Sequence, residues 1–506
     1  MNEENEAQRQ YLSSIGVCER CILRHSTIIS HKFEKNVEKD SQKTPFCCGS
    51  CLGILEDSYV QETIDRMTEK INESNYDSST FCLAISLPQC LVLREKSLML
   101  ALKQNKITIP QLSRAGPLSV KDALRFSVIS KLEKIINKKH ESKSDLLIDL
   151  IYGYTKDAEE ISKLKPLLSQ QKSKKRKYHH KGKQQPDRSI QDIAQAVEKL
   201  NDLQIPHYTS CPPQSSTVPC SISVKTLQGS IFIAGRYNKY SRHLSQTPWI
   251  VDGARKTETS VQELICGPLQ EALKATETKF LSSGREDVDV KMLGKGRPFA
   301  AELIDSKRTT ISQDEIIKLQ NDINSSTELI AVRDLQVVCR DDLSSLKQGE
   351  EEKKKCYRAK IWCEKTISDD CIDKLNSMKD VVVEQKTPIR VLHRRPIMVR
   401  PRIIHELAMK RIDDVHYDLS LKTQAGTYIK EFVHSDFGRT VPSLRSLLDA
   451  SVDIVELDVD AVELDWPPSL ATKTLLAAQY CNRNFIGAQS SSRNLIGLPF
   501  SQLTAN

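Results

Sequence analysis

The pattern of apolar positions predicts short helices and strands in the first part of the chain. Tyr11, Leu12 and Ile15 fall on one stripe, which predicts an amphipathic opening helix. The almost wholly apolar run at 81–93 predicts a buried strand, and the spacing across 118–155 predicts helix. This part of the chain is therefore expected to be α+β.

The stretch at 157–190 differs from its surroundings. Its centre, 170–188, is basic and polar and has no aliphatic residues, so it cannot bury enough apolar surface to fold alone. We expect a basic, flexible insertion here. Ordered patterns resume with a helix at 190–203, strands across 220–237 and another helix at 260–275.

Strand patterns dominate the C-terminal half, with few helices between them. Many strands crossed by few helices favour an α+β domain built on a mixed or antiparallel sheet. Strands are predicted at 329–338, 356–363, 381–385, 389–395, 415–424 and 454–464, and helices at 311–324 and 442–450.

The length of 506 residues exceeds one ordinary core and suggests about three units. No repeat of the solenoid kind is visible in the sequence. We expect a small cysteine-bearing unit at 1–75, an accessory region at 76–265 and a catalytic region at 266–506.

The composition is that of a globular chain, with 28% charged and 39% hydrophobic residues. No window approaches roughly 18 consecutive apolar residues, and the first residues are acidic and polar, so neither a membrane helix nor a signal peptide is predicted. We expect an intracellular protein that does not bind membranes. The net charge of +8, from 74 basic and 66 acidic residues, permits a nucleic-acid partner without proving one.

Two Cys-x-x-Cys pairs near the N-terminus predict a metal site. Four thiolates complete the tetrahedral shell of Zn²⁺, so Cys18, Cys21, Cys48 and Cys51 are the expected ligands. Cys47 is a competing ligand beside Cys48, and four reduced thiols without a metal are the alternative. Four sulfurs leave no open position for a substrate, so the zinc is expected to be structural.

The segment 281–305 combines glycines, cations and acids. Glycine removes side-chain bulk, so such a loop can approach a phosphodiester backbone while its basic residues neutralise phosphates. Its glycines match neither a dinucleotide-binding fingerprint nor a phosphate-binding loop, which argues against nucleotide-dependent chemistry. An acid beside an arginine is, on its own, more often a surface ion pair than a catalyst. The candidate acids are Glu286, Asp287 and Asp289.

The stretch 284–299, GREDVDVKMLGKGRPF, resembles the signature of the archaeal and eukaryotic "Pus ten" family of tRNA pseudouridine synthases. Its Arg285-x-Asp287 also resembles the Arg-x-Asp core of several other pseudouridine synthase families, which favours Asp287 over Asp289 as the catalytic carboxylate. With the cysteine pairs, the resemblance spans nearly the whole chain. Further family-like segments lie at 235–255, 355–362, 385–395 and 426–444.

The resemblance implies an isomerase that converts uridine to pseudouridine without an organic cofactor. Asp287 would be the catalytic carboxylate, and Lys430 the cation that keeps it charged and oriented. Tyr357 would pack its aromatic face against the target base, and Tyr428 would help to shape the same wall. The alternatives are a solvated lysine at position 430 and a core tyrosine at position 357.

The resemblance also implies tRNA as the partner, with uridines 54 and 55 of the T arm as targets and an accessory domain of the THUMP kind at 76–265. Other structured RNAs are a second class of expected partner. We expect a monomer in the nucleus and cytoplasm, where the basic run at 174–177 is either an import signal or a non-specific RNA-binding segment. Clustered cations with interleaved aromatic residues predict RNA contacts by Arg236, Lys239, Arg242, Arg255, Arg285, Arg297, Arg390, His393, Arg394 and Arg395.

Two other functions fit parts of the sequence. A non-catalytic RNA-binding scaffold would use the cysteine unit and the basic segments, but it has no need for Asp287, Tyr357 and Lys430 together. An RNA methyltransferase or thiolation enzyme would need a nucleotide-binding glycine loop, which the sequence does not show. A cofactor-independent pseudouridine synthase is therefore the expected function.

Overall fold

A computed structural model of the chain describes residues 3–26, 33, 47–107, 117–164, 167–168, 190–347 and 353–470. The chain divides into two compact units, Met1–Gly229 and Ser230–Asn506. Residues 169–189 of the predicted basic insertion, including the run at 174–177, lie outside the described residues. Within the described ranges, every helix is too short or too polar to cross a lipid bilayer.

The first unit combines helices with a four-stranded mixed sheet. Its helices are α1 (Glu3–Ser14), α2 (Glu19–Ser26), α3 (Asp57–Ser74), α4 (Leu91–Gln104), α5 (Val120–Ile136), α6 (Asp157–Ser162), α7 (Ile190–Glu198) and α8 (Ile205–Tyr208). Its strands are β1 (Thr80–Ser86), β2 (Lys139–His140), β3 (Leu146–Gly153) and β4 (Ser221–Gln228), in the order β2-β1-β3-β4. Strand β1 pairs in parallel with β2 and β3, whereas β3 and β4 are antiparallel.

Two predictions for this unit are wrong, because apolar runs do not distinguish buried strands from buried helices. The predicted strand at 81–93 divides into β1 and the start of α4. The Asp157 carboxylate accepts hydrogen bonds from the backbone N–H groups of Gln89 and Cys90, at 3.1 and 2.7 Å, where α4 begins. The helix predicted across 118–155 corresponds to α5 but not to β3, whose burial alternates as in a strand with one face on the core.

The cysteine segment and the sheet of this unit share one core. Cys21, Cys48 and Cys51 are buried in the same apolar cluster as Phe81 of β1 and Leu150 of β3. The division predicted at residue 75 therefore does not separate two cores.

The second unit is built on a ten-stranded sheet flanked by helices. Its strands are β5 (Ile231–Lys239), β6 (Ile250–Val251), β7 (Ala254–Arg255), β8 (Glu277–Ser282), β9 (Lys291–Ile304), β10 (Ile330–Val338), β11 (Lys355–Cys363), β12 (Lys379–Lys386), β13 (Val399–Arg411), β14 (His416–Thr423), β15 (Thr440–Val441) and β16 (Val452–Val462). Its helices are α9 (Val261–Leu273), α10 (Gln313–Ser326), α11 (Asp369–Ser377), α12 (Ile429–His434) and α13 (Leu444–Leu448), with 3₁₀ turns at Asp341–Leu343 and Ile389–Val391.

The large sheet has the order β10-β5-β9-β16-β11-β14-β13-β12-β15, with β8 paired to β9 off this path. Strands β6 and β7 pair with each other in a separate two-stranded sheet. Strands β9 and β16 pair in parallel, whereas their other neighbours pair antiparallel. The predicted α+β class with a mixed sheet is confirmed. Because β5 pairs with both β9 and β10, the second unit begins at Ser230 and not at 266 as predicted.

The strand predicted at 389–395 is wrong. The backbone N–H of Val391 bonds to Pro388 and that of Arg395 bonds back to Val391, at 3.1 and 3.0 Å, so the segment closes on itself as a turn. A strand would have needed partners in a neighbouring strand instead. This turn, between β12 and β13, brings Arg390 to the cleft described next.

Candidate active site

The loop at 283–290 joins β8 to β9 and carries the three candidate acids. The first of them, Glu286, points inward and its side chain is fully buried. It accepts hydrogen bonds from Arg297 Nε at 2.8 Å and from the Tyr237 hydroxyl at 2.8 and 2.9 Å. Burial and the charge of Glu286 hold the pKa of Tyr237 well above its ordinary value, so its hydroxyl remains a donor. This buried, hydrogen-bonded ion pair fixes the base of the loop.

Gly284 allows the loop to turn above this ion pair. Its φ is +88°, and a Cβ at this position would lie 2.8 Å from Lys355 Nζ and 3.2 Å from Arg297 Nη1. A larger residue would meet both a backbone conformation that it rarely adopts and these two cations. Gln246 Nε2 holds the turn by donating to the Gly284 carbonyl at 3.0 Å.

Asp287 lines the cleft, and 44% of its side chain is exposed. Its Oδ2 lies 3.2 Å from Arg390 Nη1 and 3.8 Å from Lys430 Nζ. Lys430 makes a shorter contact, 2.7 Å, with Asp289. Burial alone would raise the pKa of Asp289, but the hydrogen bond and charge of Lys430 outweigh it and hold that pKa below its ordinary value. Asp287 therefore lies closer to Arg390 than to Lys430, and Lys430 lies closer to Asp289 than to Asp287.

Arg390 connects Asp287 to a buried acid. Its Nε donates to Glu431 Oε1 at 2.7 Å, and only 3% of the Glu431 side chain is exposed. Burial would lower the pKa of Arg390, but Glu431 outweighs it and the pKa lies above its ordinary value. Arg390 is thus oriented by Glu431 from α12, directly beside Lys430 on the same helix.

Tyr357 and Tyr428 bring aromatic surface to the same cleft, which has a volume of about 1180 Å³. Tyr357 projects from β11, and burial raises its pKa to about 12, so its hydroxyl stays protonated at neutral pH. The backbone of Tyr428 is fixed by Gln385, whose side-chain amide accepts from its N–H and donates to its carbonyl, both at 2.9 Å. The cleft is large enough for a nucleotide.

Arg236 and Arg297 are buried, which corrects the prediction that they contact RNA. Arg297 forms the ion pair with Glu286 and is 2% exposed. Arg236 lies inside the second unit, where its guanidinium donates at 2.8 to 3.0 Å to the carbonyls of Lys295, Leu464 and Trp466.

Lys239 is also buried, contrary to its predicted role, whereas Arg242 is 23% exposed and its predicted contact with RNA stays a prediction. Lys239 is fully buried, and its ammonium donates to the carbonyls of Leu244, Asp287 and Val288 at 2.8, 3.1 and 2.8 Å. Burial lowers the pKa of Lys239 to about 8 despite the nearby acids. Arg242 is neutralised by two acids of β16, Asp458 and Glu456, each at 2.8 Å.

Four arginines line the cleft and are exposed: Arg285, Arg390, Arg394 and Arg395. Their predicted contacts with RNA stay predictions. Arg255, which was also expected to contact RNA, forms an ion pair with Glu263 at 2.5 Å. His393 is exposed in the same segment as Arg394.

Several residues that shape the site were not predicted from the sequence. Tyr237 and Gln246 lie in the family-like segment 235–255, but the sequence did not indicate that they belong to the buried network. Glu431 follows Lys430 in a short helix, where an acid is normally exposed. Only its buried hydrogen bond to Arg390 reveals its place.

The four predicted zinc ligands converge in the first unit. The sulfur atoms of Cys18, Cys21, Cys48 and Cys51 all lie within 4.8 Å of one another, so the cluster could hold a metal ion. Three of the four residues are buried, and the backbone N–H of Cys18 donates to the Cys48 sulfur at 3.3 Å. Cys47 is not part of the cluster. A tetrahedral ion with sulfur ligands fits this donor set.

Family models match both units. A model described as "Pus10, C-terminal" matches residues 232–463, which include the cleft. A second, described as "Eukaryotic Pus10, N-terminal", matches residues 48–226.

Individual proteins are similar over most of the chain. The human tRNA pseudouridine synthase Pus10 is 40% identical over 430 residues, covering 84% of this chain and 79% of that protein. The Xenopus laevis tRNA pseudouridine synthase Pus10 is 36% identical, covering 93% of this chain and 99% of that protein. Among solved structures, a Cbf5-Nop10-Gar1 complex matches 44% of this chain and 47% of that chain with a TM-score of 0.25 and 15% identity, which is too weak to bear on the fold. The chain therefore belongs to the Pus10 family, whose similar members are named tRNA pseudouridine synthases.

Proposed function

We propose that this member of the Pus10 family isomerises uridine to pseudouridine in the T arm of tRNA, at position 54, position 55 or both. The observation that carries the proposal is the half-exposed carboxylate of Asp287 in a nucleotide-sized cleft, with two cations within 4 Å and a tyrosine on the wall. The relatives named as tRNA pseudouridine synthases support tRNA as the substrate class.

The reaction needs few groups. The bond between N1 of uracil and C1′ of the ribose breaks, a bond between C5 and C1′ forms, and overall one proton leaves C5 while another binds N1. Nothing is oxidised and no external group is transferred, so the chemistry requires no organic cofactor. The protein must supply an anion beside the sugar and base, a surface that retains the detached uracil, and shelter from water.

The first two of these requirements correspond to residues of the cleft. Asp287 supplies the carboxylate, and Arg390 and Lys430 orient it through contacts of 3.2 and 3.8 Å. Tyr357 supplies the flat surface on which uracil stacks, and its hydroxyl remains protonated because burial raises its pKa to about 12. Asp287 faces the cleft, whereas the backbone beneath it is held by Lys239 from the core side.

The target base must leave its stack before it can reach Asp287, at a cost of a few kcal/mol. Exposed cations at the rim of the cleft offset this cost by binding phosphates. Arg285, Arg394 and Arg395 are placed for this role, since they line the cleft and are exposed. Arg390 is already engaged by two carboxylates.

For the first unit we propose a structural Zn²⁺ held by Cys18, Cys21, Cys48 and Cys51. Four sulfur ligands close the coordination shell, so such an ion would stabilise the fold without acting on a substrate. An RNA-binding accessory role of the THUMP kind for this unit, a monomeric state, and a distribution between nucleus and cytoplasm belong to the same proposal. Structured RNAs other than tRNA are further candidate substrates.

The test is pseudouridine mapping in unmodified tRNA transcripts incubated with purified wild-type protein and no added cofactor. Pseudouridine is located by primer-extension stops that depend on carbodiimide treatment. Matched transcripts carry cytidine in place of uridine 54, of uridine 55, or of both. We expect stops in the T arm that disappear only when the modified position is replaced. Tight binding of the unsubstituted transcript without any stop would instead favour a non-catalytic scaffold.

A further inference from the structure

The side chain of Phe437 is exposed to solvent although it is large and apolar. It is 95% exposed, more than any other exposed large hydrophobic residue in the described parts of the chain. It lies in the five-residue loop 435–439 between α12 and β15. An isolated exposed apolar residue needs no explanation, but the conformation and surroundings of this loop are unusual.

The loop holds Phe437 in a backbone conformation that most residues avoid. Ser435, Asp436 and Phe437 have φ values of +77°, +51° and +56°, and Gly438 follows at +78°. Three consecutive non-glycine residues in the left-handed region are disfavoured and persist only where the surroundings impose them. The backbone N–H of Ser435 bonds to Glu431 at 2.9 Å, and that of Gly438 bonds to the Ser435 hydroxyl at 2.8 Å. Phe437 is therefore presented by a fixed turn.

The loop is docked on the segment that delivers Arg390 to the cleft. Asp436 Oδ2 accepts from the backbone N–H of Ile389 at 3.2 Å, and Arg439 donates to the Thr387 carbonyl at 2.6 Å. Ile389 directly precedes Arg390, whose guanidinium contacts Asp287. The loop that carries Phe437 is thus joined to the segment that immediately precedes a residue lining the cleft.

The chemistry around Phe437 fits a nucleic acid. The loop is hydrogen-bonded to Thr387 and Ile389, and the stretch that follows them exposes the cations Arg394 and Arg395. Aromatic faces beside cations are the combination with which proteins bind unpaired nucleotides, because the cations hold phosphates while bases stack on the rings. A protein partner that buried the Phe437 ring in an apolar interface would not require exposed arginines nearby.

We propose that the Phe437 ring is a stacking platform for an unpaired base of the substrate RNA outside the cleft. The inference rests on the proposed function, because it takes the bound RNA to be the one whose uridine enters the cleft. Extruding that uridine disturbs the stacking of its neighbours. An exposed ring on a loop docked beside Arg390 offers one of these bases a new stacking partner.

The experiment measures binding of unmodified tRNA transcript by fluorescence anisotropy, in an Asp287→Ala background that prevents turnover. The variants are Phe437→Ala, Phe437→Leu and Phe437→Trp, with Ile412→Ala as the control for loss of another exposed apolar side chain, 48% exposed. We expect the alanine variant to bind about 5- to 150-fold more weakly, the range of a lost base stack. Leucine should not restore binding, tryptophan should, and the control should bind normally.

The salt dependence separates stacking from charge. Because Phe437 neutralises no phosphate, its replacement should weaken binding without changing the slope of log Kd against log salt concentration. Equal affinity of the alanine variant, or full recovery with leucine, would overturn the proposal. Pseudouridine formation by protein that retains Asp287 is measured in parallel. Failure of the stacking proposal then appears as unchanged RNA binding, and failure of the synthase proposal appears as absence of pseudouridine.

Discussion

The guanidinium of Arg390 lies 3.2 Å from the carboxylate of Asp287, closer than the ammonium of Lys430 at 3.8 Å. The family resemblance implies Lys430 as the cation that serves Asp287, yet its shorter contact is to Asp289. Arg390 is in turn held by the buried Glu431. The cation that orients Asp287 in this structure is therefore Arg390, positioned by an acid from α12.

Replacing Arg390 should slow the chemical step. In Arg390→Ala, Asp287 loses its nearer cation, and we expect the single-turnover rate at saturating RNA to fall by about 100-fold. Arg390→Lys should recover only part of the rate, because an ammonium cannot contact Asp287 and Glu431 with the planar fork of a guanidinium. Rapid-quench measurement of pseudouridine formation checks both variants.

Arg394→Ala is the matched control, since Arg394 lines the same cleft without an ion pair to any described carboxylate. It should raise the Kd for RNA and leave the saturated single-turnover rate nearly unchanged. A normal rate in Arg390→Ala together with a large loss in Lys430→Ala would show that Lys430, not Arg390, serves Asp287.

Removing the charge of Glu286 should destabilise the second unit. Glu286→Gln leaves the buried Arg297 without its counter-charge, which typically costs about 3–5 kcal/mol. Urea unfolding followed by tryptophan fluorescence isolates this unit, because all three tryptophans of the chain belong to it, at positions 249, 362 and 466.

The control for this change is Glu456→Gln, which breaks the ion pair of Arg242 with an acid that is 53% exposed. A loss of about 0–1 kcal/mol is expected there. Similar small losses in both variants would mean that the buried ion pair does not hold the loop at 283–290.

Lys239 should make stability depend on pH in an alkaline window. Its pKa is about 8 in the folded chain against an ordinary value of 10.5, so between these values the unfolded chain binds more protons. Stability from this group therefore rises as pH increases from about 8 to 10.5, and is constant below and above that window. Wild type should gain stability relative to Lys239→Met across this window, by at most about 3 kcal/mol. Urea unfolding at stepwise pH measures the difference, and a parallel response of both proteins would contradict the assignment.

Zinc content should distinguish the two adjacent cysteines. Cys48→Ser removes a sulfur of the four-cysteine cluster, so the purified protein should lose its bound zinc and melt at a lower temperature. Cys47→Ser should retain about one zinc per chain, because Cys47 lies outside the cluster. Elemental analysis after dialysis measures both. Retention of zinc by Cys48→Ser together with its loss in Cys47→Ser would show that Cys47, and not Cys48, is the ligand.

The sequence predicted which segments form the site better than it predicted the direction of each side chain. Residues 284–290 of the motif, Tyr357 and Lys430 do line one cleft. Charge counting placed Arg236 and Lys239 on an RNA-binding surface, whereas both point into the core and bind backbone carbonyls. The side of a strand on which a cation lies depends on pairing register, which a local pattern does not specify.

The link between Arg390 and Glu431 was beyond prediction for a related reason. The two residues are 41 positions apart and come together only through the turn at Ile389–Val391 and the helix α12. The same turn was predicted as a strand, because its apolar residues suit either structure. Whether such a segment forms a strand or a turn depends on its tertiary contacts.

The most direct test of the catalytic assignment compares two neighbouring acids. Wild type, Asp287→Asn and Asp289→Asn are incubated with unmodified tRNA transcript at equal protein and RNA concentrations, and T-arm pseudouridine is measured over time after RNA binding and folding have been verified. We predict no pseudouridine with Asp287→Asn and a rate within about 10-fold of wild type with Asp289→Asn, because Asp289 is the partner of Lys430 and not the reacting group. Activity in a folded, RNA-binding Asp287→Asn protein would contradict the account.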